Sequence, residues 1–460
     1  MRLYDAAVSA LLGASLLLGA CTTSDREHCS LPDDRISMDD IVSGVYRAYP
    51  GPQNAVMTPA PDGYTPFYIS LYNRHGSRYQ PNDKRYANTR QRLREAQERG
   101  TLTPFGETCL SEIEVLCDSC LGHGGLLTSV GVTQLAGIGQ RMFKNYPEVF
   151  IQSIPGTDRQ KRINAYASVV KRCGQSMGAF FAGLFSQMNE PFYERFPGQA
   201  FNVMAETDSA NMKFIAYDTP EMRILSAKDA FWQADYQKFY VEHTLMSSRI
   251  IDNFFTDATG LDSLQFIDDL YWLVIGMQNV NVPGCKLDNV FMPDELLECY
   301  RCVNYRMYIC NADAPMSNHI PALSASSLLK NIISCADGAI SSDSVCATLR
   351  FGHDTNLLRL LTLMKVHGCT AQIEDPTEAW KHWQEADICP MGANLQMVFY
   401  RNAEGNILVK LLHNEQETLI DQHNLRPVYG PYYLWDDLRS FLTQQLGADT
   451  ADTEFIEPVQ

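Results

Sequence analysis

The stretch Tyr68 to Pro81, reading YISLYNRHGSRYQP, sets a histidine between two arginines. Arg74, His75, Gly76 and Arg78 follow an apolar, β-favouring run, Phe67 to Tyr72, with Pro66 before it and Asn73 and Gly76 after. Such a run predicts a buried strand ending in a loop. At the carboxyl edge of a strand, where open α/β sheets bind ligands, two guanidiniums within four residues of an imidazole favour a neutral histidine or a bound dianion. Phosphate satisfies both conditions. The planar fork of arginine matches phosphate oxygens in pairs, and Gly76 lets the backbone approach closely. A neutral imidazole held against phosphorus is a nucleophile, and a phosphohistidine divides one hard displacement into two easier ones. Taken alone, an RHG triplet also fits an ordinary surface loop, because short motifs recur by chance.

A second stretch supplies what the first lacks. Ser344 to Phe351 (SVCATLRF) is again strand-like and runs into Gly352, His353, Asp354, Thr355 and Asn356, before an apolar helical run from Leu357 to Met364. His353 and Asp354 are thus expected at another carboxyl edge. A histidine there can donate to phosphoryl oxygens, and a carboxylic acid can protonate a departing alkoxide. In-line phosphoryl transfer needs this positioning and charge neutralisation.

With R-H-G-x-R near one end and G-H-D-T-N near the other, the chain resembles the histidine acid phosphatase and phytase branch of the histidine phosphatase superfamily. Further matching segments are Leu127 to Phe150, Ala167 to Phe185, Ile388 to Arg401 and Leu411 to Glu415, and they also resemble multiple inositol-polyphosphate phosphatases. The resemblance implies that His75 is the phosphorylated nucleophile and Asp354 the proton donor. It assigns phosphate binding to Arg74, Arg78, Arg172 and His353. Spacing alone would leave Arg172 a solvated residue at a helix start, since Met177, Phe180, Phe181, Leu184 and Phe185 form a core-facing stripe beyond it. Two departures matter. Gln80 stands where the family usually has proline, with Pro81 following, so a displaced turn is expected after Arg78. His353-Asp354-Thr355 replaces the His-Ala-Glu of inositol-polyphosphate phosphatases and is similar to bacterial acid phosphatases and phytases. Phytate, other inositol phosphates, sugar phosphates and small phosphomonoesters all remain candidate substrates, attacked at acidic to neutral pH. No metal or other cofactor is called for, because arginines replace the cation.

The elements that must hold these residues read as an α/β fold, a Rossmann-like three-layer core with a mostly parallel sheet. The expected core comprises residues 33–188 and 324–460. Residues 189–323 are richer in helical pattern, with Phe231, Trp232, Tyr236 and Tyr240 as a core stripe, and the resemblance implies an inserted, mostly α-helical cap there. Leu395 to Tyr400 and Ile407 to Leu412 predict a hairpin turning at Asn402 to Gly405.

Ahead of the core, residues 1–20 have Arg2, a short apolar run and then Leu18, Gly19 and Ala20 before Cys21, which reads as a lipoprotein signal with Cys21 lipidated and 21–32 a tether. The expected setting is the bacterial cell envelope. Arg2 and Asp5 cancel, so removing the signal leaves the net charge at -17. That acidity excludes nucleic acid as a partner and requires a local basic cluster to draw an anionic substrate. Arg159, Lys161, Arg162, Lys171 and Arg172 form one candidate cluster, the first three reading better as a solvated face. Fourteen cysteines, 13 without Cys21, suit export and disulfides better than metal, the two CxxC pairs being far apart. The resemblance implies a Cys369 to Cys389 staple. Cys173 reads as a buried thiol and His123 as a loop residue. Three rival readings are a phosphoglycerate-mutase-like enzyme, which export and the middle insertion disfavour, a non-catalytic phosphoester-binding lipoprotein, and a scaffold with incidental loops.

Overall fold

The computed structural model describes residues 37–52, 55–207, 219–421 and 423–446. The expected signal, Cys21 and the tether lie outside these. One sheet organises the rest: β1 (Thr65–Arg74), β2 (Arg162–Ala167), β3 (Val203–Glu206), β4 (Val345–Gly352), β5 (Asn394–Arg401), β6 (Ile407–His413), β7 (Gln416–Thr418) and β8 (Tyr432–Leu434). The order is β3-β2-β4-β1-β5-β6-β7, with β8 also on β6. Strands β3, β2, β4 and β1 run parallel, and β5 onward is antiparallel because a hairpin continues the sheet. That hairpin is the expected one, with Arg401 opposite Ile407.

Alternation along β1 builds three layers. Ile69 and Leu71 face one core with Leu135, Ile138, Phe180 and Leu184, and Tyr68 and Tyr72 face another with Leu328, Ile332, Leu357 and Leu438. Helices α3 (Ser129–Asn145) and α4 (Lys171–Arg195) cover the first face. Helices α8 (Ser326–Ser342), α9 (Asp354–Leu363) and α10 (Trp435–Gln445) cover the second. Strand β4 lies between β2 and β1 and is buried along its whole length, as an interior parallel strand must be.

A third cluster is mostly helical and composite. Helices α1 (Lys84–Arg99) and α2 (Pro104–Cys120) contribute Tyr86, Leu93, Ile113 and Leu116. Helix α6 (Ser263–Gly276) and its neighbours add Phe254, Phe266, Leu270 and Tyr271 to that cluster. The helical layer therefore draws on residues from both sides of the expected boundary at 189. That boundary also cuts α4 and sets aside β3, which pairs in parallel with β2. Helices α5 (Gln233–Leu245) and α7 (Pro293–Asn311) pack together beside it through Phe239 and Tyr305. Trp232 is buried as expected and donates to the Leu225 carbonyl at 2.8 Å. Phe231 is 64% exposed, because α5 starts only at Gln233 and leaves it in a turn off the helix face.

No helix among the described residues is long and apolar enough to cross a membrane. The Cys369 to Cys389 bridge is not formed. Cys389 Sγ lies 3.9 Å from the Asp354 carbonyl, and Cys369 Sγ lies 3.8 Å from His413 Nδ1. Cys117 with Cys120 and Cys299 with Cys302 are unbridged pairs one turn apart on buried helix faces.

Candidate active site

Register alone joins the two sequence stretches. Strands β1 and β4 are parallel neighbours with Arg74 opposite Gly352, so both end on one edge and His75 follows beside His353. The His75 N–H donates to the Gly352 carbonyl at 2.9 Å, and the two imidazole rings meet edge to face at 5.7 Å. Strand β2 ends on the same edge, with Ala167 opposite Phe351, and a short turn leads to Arg172 in the first turn of α4.

His75 is buried, and its Nδ1 lies 2.9 Å from the Gly76 carbonyl. A carbonyl oxygen only accepts, so Nδ1 carries the proton and Nε2 keeps its lone pair. Burial, then the charges of Arg74, Arg172 and Arg78, push this imidazole well below its ordinary pKa. The ring is neutral. His353 is lowered to about 4 by burial and by Arg172, and its Nε2 lies 3.7 Å from Cys173 Sγ. Cys173 is a buried thiol pushed up to about 12 by burial, as expected of an inert residue.

Three guanidiniums surround this pair. Arg74 is fully buried, its terminal nitrogens donating to the Cys389 carbonyl and to Asp354 Oδ2, each at 2.7 Å. Arg78 donates to the Tyr46 hydroxyl at 3.0 Å and the Tyr79 carbonyl at 2.9 Å. Arg172 is half-buried with its Nε fully buried, and burial and the charge of Arg78 depress its pKa. The Nε atoms of all three are buried without a partner among the described residues. Against these cations stands one carboxylate, Asp354, whose side chain is 19% exposed. Burial pushes its carboxyl up, but Arg74, His353 and Arg78 outweigh that and hold it below its usual value. Asp354 also opens α9, where the helix dipole favours negative charge. The site is a positive, largely buried pocket floor with neutral imidazoles, and it suits a dianion.

Gly76 serves a different purpose from the one its motif suggests. A Cβ there would sit 2.8 Å from the Gly131 carbonyl oxygen and 2.5 Å from Leu135, so it admits α3 against the loop and not a ligand. Gln80 is tied into the fold by three hydrogen bonds. Its amide donates to the Trp272 carbonyl at 2.6 Å, its Oε1 accepts from Tyr46 at 3.1 Å, and its N–H reaches the Tyr86 hydroxyl at 3.2 Å.

The basic cluster proposed to draw substrate is split. Arg159, Lys161 and Arg162 lie at the amino end of β2 and Lys171 and Arg172 beyond its carboxyl end, roughly 20 Å of strand apart. Lys161 is no solvated residue: it is buried, with Asp343 at 2.7 Å and Gln152 at 2.6 Å. His123 is a loop residue stacked on Tyr79 at 5.2 Å. Sequence reasoning missed Tyr46, whose ring lies 4.7 Å under Arg78, and Asn279, which accepts from Ser77 Oγ at 2.6 Å. Neither stands in a motif, and only the folded chain brings them to the loop.

The model of the histidine phosphatase superfamily (branch 2) matches residues 71–414, and the chain belongs to that superfamily. By fold it is similar to the Bifidobacterium longum multiple inositol polyphosphate phosphatase solved with inositol hexasulfate. That match has a TM-score of 0.70 at 19% identity over 89% of this chain and 98% of the other. It is also similar to the phytase from D. castellii, with a TM-score of 0.59 at 15% identity over 92% and 91%. The Klebsiella sp. ASR1 phytase matches with a TM-score of 0.51 at 14% identity over 88% and 100%. A comparison by sequence with curated proteins finds no match.

Proposed function

We propose that the protein hydrolyses phosphomonoesters through a phosphohistidine at His75, on phytate and related inositol polyphosphates. The observation that carries this reading is the 2.9 Å contact of His75 Nδ1 with the Gly76 carbonyl, which commits the proton to Nδ1 and leaves the Nε2 lone pair among three guanidiniums. Nε2 attacks phosphorus while Arg74, Arg78, Arg172 and His353 hold the equatorial oxygens, and the ester P–O bond breaks as Asp354 gives its proton to the leaving alkoxide. Water then breaks the N–P bond and returns a proton to Asp354.

Asp354 must be protonated for the first step, yet Arg74 holds it ionised at rest. An incoming dianion resolves this. It offsets the guanidinium charge and competes for Arg74, so the Asp354 pKa rises when substrate arrives, and an acidic to neutral optimum follows. Similarity to the B. longum phosphatase and the phytases supports inositol polyphosphates, while the His353-Asp354 pair also fits a broad acid phosphatase or sugar phosphatase. The helices between residues 219 and 324 act as the cap in this reading, and the signal before Cys21 supports tethering in the bacterial cell envelope.

The test is phosphate release between pH 4 and 7 with EDTA present, from phytate, glucose 1-phosphate and an aryl phosphate, with His75→Ala as control. Release that the substitution abolishes supports the reading, and the substrate ranking decides between phytase and general acid phosphatase. A folded protein that binds phosphate without releasing it from any ester overturns hydrolysis in favour of a binding protein.

A further inference from the structure

The loop after Arg78 makes a buried chain of hydrogen bonds whose directions are all fixed. A guanidinium only donates, so Arg78 gives a proton to the Tyr46 oxygen at 3.0 Å, and the Tyr46 hydroxyl must then give its own to Gln80 Oε1 at 3.1 Å. The Gln80 amide is oriented at its other end, where Nε2 donates to the Trp272 carbonyl of α6 at 2.6 Å. Tyr46 and Gln80 are both buried, and the Tyr46 ring packs on Trp272 at 4.9 Å and under Arg78 at 4.7 Å. The end of α6 is fitted to this arrangement, since a Cβ on Gly276 would lie 2.9 Å from Gln80 Nε2. Asn279 closes the ring, donating to the Tyr46 carbonyl at 2.7 Å and accepting from Ser77. Proline, which the family usually has at this place, could supply neither the amide bridge nor the N–H that Gln80 gives to Tyr86.

We propose that Tyr46 is a positioning residue for Arg78, with Gln80 tying the pair to α6, so that the helical layer sets the guanidinium that meets the substrate phosphate. The inference rests on the phosphate-binding role given to Arg78 above. Tyr46 touches no substrate and acts only through Arg78.

A double-mutant cycle tests it. Affinity for inorganic phosphate is measured calorimetrically in the intact protein, Tyr46→Phe, Arg78→Ala and the double variant, beside kcat and KM on an aryl phosphate. Tyr46→Phe keeps the ring and removes two hydrogen bonds, the one from the charged Arg78 and the one to Gln80 Oε1. Phosphate binding should weaken about tenfold, or about 1.4 kcal/mol, with KM rising and kcat little changed. With Arg78→Ala in place the same substitution should change affinity by less than about twofold. An equal factor in both backgrounds, or no weakening with Arg78 present, overturns the proposal. Gln80→Met should shift KM in the same direction and less, and it replaces Tyr46→Phe in the cycle if that variant does not fold. An intact enzyme that hydrolyses the ester while the cycle is additive sinks the positioning role alone. Coupling seen in phosphate binding without turnover sinks hydrolysis and leaves the positioning role standing.

Discussion

The two loops that meet in the site leave neighbouring strands in register, yet they are held in opposite ways. After β4 the chain becomes helix at once. His353 is the residue before α9, Asp354 is its first, and the helix starts taking up its own backbone groups with Leu357 N–H on the His353 carbonyl at 3.2 Å. After β1 the chain stays irregular until Lys84, and its groups must find distant partners. Gly76 N–H reaches Ser176 Oγ at 3.2 Å, Ser77 N–H reaches Gln134 at 2.8 Å, and Ser77 O accepts from Thr128 N–H at 3.0 Å. A helix satisfies its own peptide groups, whereas a loop that must present two arginines and a histidine borrows donors and acceptors from several elements. The donor segment is therefore mainly a local structure, with Tyr72 and Arg74 as its distant partners, and the nucleophile loop is a product of the whole fold.

Substitutions can break that contrast, beginning with the largest effect. His75→Ala should abolish turnover on every ester, since the covalent intermediate forms on the Nε2 of that residue, and phosphate release checks it. Asp354→Asn should lower kcat on an alkyl phosphate by about 10²- to 10⁴-fold and on an activated aryl phosphate far less, because only the poor leaving group needs the proton. Equal losses on both would remove Asp354 from the donor role. Asn279→Ala sharpens the contrast directly. It strips partners from Ser77 Oγ and the Tyr46 carbonyl, so about 2 kcal/mol of stability should go, read by denaturant unfolding, and activity should fall although Asn279 lies outside every motif.

The smallest effect concerns pH. His353 titrates near 4 in the native protein and near its ordinary 6.5 when unfolded. The unfolded chain thus takes up a proton between about pH 6.5 and 4 that the native protein refuses, and stability falls as pH drops through that window. Glu385 works the other way, since burial lifts its carboxyl to about 7 and the native state gains stability as pH falls below that value. Melting temperatures of the protein and His353→Gln between pH 7.5 and 4 isolate the histidine, and the variant should show the shallower decline.

The same contrast explains what could be read from the sequence. Strands β1 and β4, the terminal hairpin and the helix after Asp354 follow from apolar runs and turn residues, because those signals are local. The site residues that follow β1 and β4 were legible through motifs at strand ends, and Arg172 on α4 only through the family resemblance. Tyr46, Asn279 and the role of Gln80 were not, since Arg78 lies 32 positions from Tyr46 and Ser77 lies 202 from Asn279. The basic cluster failed for a related reason. Residues close in sequence across β2 fall on opposite edges of the sheet, and Lys161 is neutralised by Asp343, which the sequence places 182 residues away.

The most direct test of the central claim is to mix the protein with a ³²P-labelled aryl phosphate, quench within milliseconds into alkali, where phosphohistidine survives, and map the label. The account predicts label on His75, absent in His75→Ala. Turnover by the intact protein with no label on any histidine, under conditions where breakdown of the intermediate limits the rate, would contradict it.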